Sequence, residues 1–192
     1  MTEEDDELRG ALASLLDGAE GAALGLDPSA APPSGLKARL LGGLARTSRF
    51  ARFEGAVATL LEIPLERARV VLAALDDPKV WVRELPMAEF FWVERGPALQ
   101  NAVCGFVRVD RGTTFPEHEH LGRERILMLQ GAMIDGVSGT RYGPGDLVEN
   151  AAKSEHHYVA EAGGVDMLHL VVTEVGYRFG EVIAGPREPA DY

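Results

Sequence analysis

A mainly β architecture, an antiparallel sandwich or barrel preceded by an α-helical N-terminal region, is predicted by three features of the 192-residue sequence. Apolar residues in the first third recur at helical spacing. From Val80 onward the period changes to short runs rich in β-branched and aromatic residues, punctuated by Gly and Pro. No helical pattern separates those runs, which favours antiparallel pairing over a parallel α/β sheet.

The elements follow in order. Residues 4–19 read as a helix, because Leu8, Leu12, Leu15 and Leu16 share one face and acids fill the first turn. "GLDPSAAPPSG" (25–35) holds three prolines, two glycines and two serines, the composition of a linker. Residues 36–46 resume a helix, with Leu36, Leu40, Leu41 and Leu44 on one stripe and a basic opposite face. A third helical stretch runs from Phe53 to Leu75 and is broken at "IPLE", where Pro64 suits a first-turn position. Leu65, Ala68, Leu72 and Leu75 mark its buried face, and "DDP" (76–78) ends it. The strand runs are "EFFWVE", "NAVCGFVRVD", "RILMLQGAMID", "DLVEN", "HHYVAEA" and "VDMLHLVVTEV". The tail "AGPREPADY" reads as a frayed end. The expected organisation is a helix and Pro-rich linker over 1–35, a helical region over 36–78 and a barrel over 79–185.

Composition excludes several function classes. A net charge of −11 argues against direct binding to nucleic acid or an anionic membrane, since both need a basic surface. No apolar run approaches the roughly 20 residues of a membrane span. The single cysteine, Cys104, cannot form an internal disulfide, and the acidic start "MTEEDDELRG" is unlike a signal peptide, so a cytoplasmic location is expected. Charge is blocked along the chain. Residues 1–27 carry eight acids and one arginine, whereas residues 28–53 carry five bases and no acid.

The stretch "GTTFPEHEHLGRERILMLQG" (112–131) carries the chemistry. His118 and His120 lie two apart, so on a strand both rings leave one face and can converge on one ion. Glu124 follows past "LGR", where a short turn brings its carboxylate back beside the rings. A fourth ligand would come from "SEHHY", but adjacent strand residues point to opposite faces, so only one of His156 and His157 can reach the same cavity.

Residues 112–131 match the first motif of the cupin superfamily at every spaced position: Gly112, His118, His120, Glu124 and Gly131. The second cupin motif starts at Gly145 and closes at His156, with Ala151 and Lys153 standing where the motif has proline and glycine. The resemblance spans roughly residues 85–180. It implies a jelly-roll barrel, and it selects His156 as the fourth ligand and turns His157 outward. "FPEHEHLGRERILMLQGAMID", "YGPGDLVEN" and "SEHH" also resemble the cupin domain of ChrR-type anti-sigma factors, which join a helical sigma-binding domain to a zinc-binding cupin. The HxxxCxxC zinc motif of such helical domains is absent: no histidine precedes His118 and no cysteine precedes Cys104.

The expected centre therefore holds one divalent metal on His118, His120, Glu124 and His156. Zinc is placed first, with iron, nickel, manganese and copper also suited to such ligands. Tyr158 shares the parity of His156 and is a candidate for the cavity wall. His169, in the apolar run "DMLHLVV", is a candidate outer partner or a core histidine, and Met128 shares the parity of Glu124 but reads as core filler. Glu117 and Glu119 are expected outside, and Cys104 is expected to be buried. Two functions fit: a metal-binding regulatory sensor whose N-terminal helices bind a sigma factor, or a metal-dependent dioxygenase or isomerase acting on a small molecule in the barrel. Family analogy adds a homodimer.

Overall fold

Helix-breaking chemistry at residues 62–64 shapes the first elements of the structure, a computed structural model that describes residues 49–192. The helix expected over 4–19, the linker and the helix of 36–46 lie outside the described residues. A 3-10 turn (Ala51–Phe53) leads into α1 (Glu54–Leu61) and then α2 (Leu65–Ala74). Glu62 closes α1 in the left-handed region, at φ 55°. Pro64 is the N-cap of α2, one place ahead of the first turn. Val57, Leu60 and Leu61 of α1 and Ala68, Val71 and Leu72 of α2 are buried. Leu65 is not part of that face; it is 42% exposed, and Val71 takes the place expected for it.

Twelve strands follow among the described residues: β1 (Val82–Leu85), β2 (Ala88–Trp92), β3 (Val103–Val109), β4 (Thr114–His120), β5 (Glu124–Gln130), β6 (Met133–Asp135), β7 (Arg141–Tyr142), β8 (Leu147–Asn150), β9 (Glu155–Ala160), β10 (Met167–Thr173), β11 (Tyr177–Phe179) and β12 (Val182–Ala184). They form two six-stranded sheets, β1-β2-β3-β10-β5-β8 and β12-β11-β4-β9-β6-β7. Neighbouring strands pair antiparallel throughout. This is the mainly β, jelly-roll class that the sequence predicts, preceded by helices.

The two sheets differ in what covers them. In the first, Phe91, Phe106, Leu127, Leu168 and Leu170 point toward α1 and α2 and share one hydrophobic cluster with Leu61, Leu72 and Leu75. Their neighbours Phe90, Val107, Ile126, Met128 and Val171 point the other way, into the barrel. Both faces are therefore dry, which is why β10 reads "MLHLVVT" with every residue buried. The second sheet has one covered face only, and β9 alternates outward and inward in the sequence "EHHYVA".

Two local departures from regular strand geometry matter for the site. In β4 the pairing with β9 slips between Phe115 and His118, so both residues face inward although three positions apart. Pro116 falls in this bulge, where no ladder donor is needed. At the turn before β9, Lys153 adopts φ 67°. This is the position at which the second cupin motif has glycine, and a side chain there carries the left-handed Cβ penalty.

The C-terminal tail is ordered against the barrel, contrary to the frayed end expected. The Ala190 N–H donates to the Trp92 carbonyl at 3.0 Å, and the Tyr192 ring meets Phe91 edge-on at 5.1 Å. An aromatic terminal residue that can bury its ring against an exposed part of the core overrides the polar composition of the segment.

Two outcomes follow from this packing. Leu72→Ala is expected to cost about 2–5 kcal/mol, because it opens a cavity between α2 and the first sheet; urea denaturation measures it. Lys153→Gly is expected to stabilise the fold by up to about 1 kcal/mol, seen as a higher urea midpoint.

Candidate metal centre

Cross-strand pairing assembles the centre. His118 on β4 lies directly opposite His156 on β9, and Tyr177 on β11 lies opposite His120. The three-residue turn after His120 carries the chain from the second sheet to the first. Glu124, the first residue of β5, thus faces the histidines from the other side of the barrel. His118, His120, Glu124 and His156 are all buried, none more than 5% exposed. The ring centroids are 5.0 Å apart for His118–His120 and 4.9 Å for each of the other two histidine pairs. One ring nitrogen from each histidine lies within 4.8 Å of one from each of the others, close enough to hold a single ion.

Hydrogen bonds set the tautomer of all three rings. His118 Nδ1 is 2.9 Å from the Pro116 carbonyl, which can only accept, so Nδ1 carries the proton. His156 Nδ1 donates in the same way to Asp135 Oδ2 at 2.8 Å. Ser154 Oγ donates to the Ala151 carbonyl at 2.6 Å and so accepts from His120 Nδ1 at 2.9 Å. Each ring therefore offers a bare Nε2 lone pair. The Nε2 atoms of His120 and His156 are buried with no hydrogen-bond partner. This arrangement, Nδ1–H tied outward and Nε2 free inward, is the one that imidazole ligands of a metal adopt.

Glu124 stands beside the cluster rather than fully within it. Its Oε2 is 3.0 Å from His120 Nε2, out of line for a hydrogen bond. Oε1 accepts from the Tyr177 hydroxyl at 2.5 Å, and Oε2 accepts from Asn150 Nδ2 at 2.7 Å. Burial opposes ionisation of Glu124, but the hydrogen bonds donated by Tyr177 and Asn150 favour it, and the carboxyl lies at about 2. Burial pushes His118 down to about 4, only partly countered by the Pro116 carbonyl and Glu124. Asp135 is likewise held at about 2, against some burial, by the Ser138 N–H and His156. Ionised Glu124 and the inward Nε2 lone pairs leave the centre rich in negative charge and donor atoms. A divalent cation is the species that satisfies both, and the donor set fits one.

A cavity of about 430 Å³ opens beside this centre and reaches it through His118 and Glu124. Tyr158 and His169 line it, and both are 2% exposed. Met128 is not in the wall; it is fully buried in the hydrophobic cluster between the sheets. His157 points away and its ring sits over Gly136. Glu119 is outside, paired with Arg178 at 3.2 Å, while Glu117 reaches the cavity rim because of the β4 bulge. Cys104 is buried, and burial raises its thiol to about 11, so it is inert. Among the described residues no helix is long and apolar enough to cross a membrane.

Comparison with known families joins this geometry to the motif: residues 81–173 match the family described as the ChrR cupin-like domain. Those residues resemble a ChrR cupin-like domain. Anti-sigma-E factor ChrR of Cereibacter sphaeroides is 33% identical over 87 residues, which make up 45% of this chain and 39% of that protein. The match thus spans about two fifths of that relative's length. Among solved structures, Rhodobacter sphaeroides SigE in complex with the anti-sigma ChrR superposes with a TM-score of 0.49 and 25% identity, over 88% of this chain and 81% of that one. An acetylacetone dioxygenase from Acinetobacter johnsonii gives a TM-score of 0.48 and 14% identity, over 57% and 80%.

Four residues of the centre escaped the sequence reading: Tyr177, Asn150, Asp135 and Ser154. Each touches a histidine or Glu124 from another strand or turn. Asn150 and Asp135 are the polar ends of the strand runs "DLVEN" and "RILMLQGAMID", and Ser154 opens "SEHHY", whereas Tyr177 lies outside every such run.

Asp135→Asn and Ser154→Ala are each expected to weaken the binding of an added divalent ion about 10- to 100-fold, measured by competition with a chelating dye. The metal-free protein is expected to lose stability on acidification. The folded-state value of His118, about 4, lies below its ordinary 6.5, so the unfolded chain binds more protons between them. That contribution is complete above pH 6.5 and lost toward pH 4. The contribution of Glu124 is complete above 4.5 and lost toward 2. Thermal midpoints against pH test this, and His118→Gln should shallow the upper limb.

Proposed function

We propose that this protein is a zinc-binding regulator of the ChrR type, in which His118, His120, His156 and Glu124 hold one divalent ion and the N-terminal helices capture a sigma factor. The observation that carries the metal reading is the set of three Nδ1–H tautomers with their Nε2 lone pairs turned to one point. Once bound, the ion would tie β4, β5 and β9 together and act as a Lewis acid at the inner end of the cavity. Tyr177 and Asn150 would hold Glu124 in position. Asp135, Ser154 and the Pro116 carbonyl would orient the rings. The sigma-factor reading is supported by the name of the relative above and by the blocked charge of residues 1–53. A cytoplasmic location goes with it. A homodimer through sheet edges is proposed as well, supported by Val82, Val182 and Ile183, which are more than half exposed on the edge strands β1 and β12.

One observation favours a second reading, a metal-dependent dioxygenase or isomerase: the cavity reaches His118 and Glu124 directly. The number of waters on the bound ion separates the two, since a closed four-ligand site favours sensing and open positions favour catalysis.

His120→Ala is expected to abolish zinc retention by elemental analysis and to lower the thermal midpoint, because an ion that binds only the folded state stabilises it. Unchanged zinc content would refute the assignment. The full chain, expressed in its own host, should co-purify with a sigma factor, and deletion of residues 1–35 should leave the barrel folded. Failure to recover a sigma factor, together with oxygen uptake on a substrate panel, would favour the enzyme.

A further inference from the structure

The barrel interior holds a polar pair that the three-histidine centre does not use. His169 projects from β10 in the first sheet and Tyr158 from β9 in the second, and their rings meet edge-to-face at 5.9 Å. Both side chains are 98% buried, and both line the same cavity. His169 Nδ1 has no hydrogen-bond partner. The Tyr158 hydroxyl has none among the described residues. A buried donor or acceptor left unmade costs about 1–3 kcal/mol, and His169 Nδ1 is such a group beside this space.

The rest of the wall is apolar and aromatic. Phe90 stacks on Trp92 at 5.2 Å in the first sheet, and Phe115 stacks on Tyr158 at 4.7 Å in the second. Gly105 keeps room for the indole, since a Cβ there would come within 2.6 Å of the Trp92 ring. The charged residues of the cavity are three acids, Glu84, Glu117 and Glu124, against one base, Arg187. Arg187 lies 3.5 Å from Glu84, and Glu124 is already engaged by Tyr177 and Asn150. An anion meets net repulsion here, and among the described residues the one cavity carboxylate without an ion pair or hydrogen bond, Glu117, is exposed at the rim.

We infer that this cavity binds an uncharged, mainly apolar, planar molecule bearing one carbonyl or hydroxyl oxygen, which His169 and Tyr158 hold while the aromatic walls take its body. The site shares its cavity with His118 and Glu124 and deepens the reading of a small molecule in the barrel, although neither His169 nor Tyr158 is a candidate metal ligand.

A matched pair of probes tests it on the full-length, zinc-loaded chain: 2-acetylnaphthalene, a neutral ketone, and 2-naphthoate, of nearly the same shape but anionic. Calorimetry and quenching of Trp92 fluorescence are the readouts. The ketone should bind one-to-one, and the naphthoate at least about tenfold more weakly. His169→Leu and Tyr158→Phe should each weaken the ketone about tenfold, with zinc content and thermal midpoint close to those of the unaltered chain. Tyr158→Phe removes a single atom and carries the test if His169→Leu does not fold. Ketone binding should also survive removal of zinc with a chelator. The inference is overturned if the ketone does not bind, if naphthoate binds as well, if the folded variants bind the ketone unchanged, or if chelation abolishes binding, which would make the ion the anchor.

Discussion

The centre of this protein depends on three ring N–H groups that point the wrong way for a hydrogen-bonded cluster. Had His118, His120 and His156 bonded to one another or to Glu124, the interior would be satisfied and closed. Instead the Pro116 carbonyl, Ser154 Oγ and Asp135 take the Nδ1 protons, and the Nε2 lone pairs are left facing one another next to an ionised carboxylate. Lone pairs and an anion repel when brought together in a low-dielectric interior. The surrounding fold holds them there regardless, through the β4–β9 ladder and the bulge that sets His118 inward. The arrangement makes physical sense as a preformed seat for a cation, which converts each repulsion into a bond.

That seat is only as rigid as the walls around it, and here the asymmetry of the two sheets matters. The first sheet is packed on both faces, by α1 and α2 outside and by Ile126, Met128 and Val171 inside. Glu124 and His169 both stand on this sheet. The second sheet, which supplies the histidines, is wet on its outer face and is held instead by cross-strand pairs and by the turn hydrogen bonds between His120 and residues 153–154. The site thus joins a well-supported wall to a more lightly supported one.

Much of this was legible in the residues themselves. The two-residue spacing of His118 and His120, the short turn to Glu124 and the parity that separates His156 from His157 are local properties of strands, and they place side chains correctly before any fold is known. The break in the helical stretch at Pro64 is equally local. What was not legible depends on partners far along the chain. Asp135 meets His156 across β6 and β9, and Tyr177 meets Glu124 from a three-residue strand too short to show a period. The β4 bulge shifts Phe115 and Glu117 relative to simple alternation, because a proline sits within the strand. The docked tail is a tertiary event: the composition of "AGPREPADY" describes an exposed segment, and only the surface offered by Phe91 explains why Tyr192 settles there.

Strand β10 is a party wall between two rooms. Leu168, Leu170 and Val172 lean against the helical side, while His169 and Val171 lean into the hollow of the barrel. Close-packed interiors compress little and pass displacement on. Whatever widens or narrows the hollow by a fraction of an ångström must therefore press on the helical layer behind it, a mechanical link built from a single seven-residue segment rather than from any hinge.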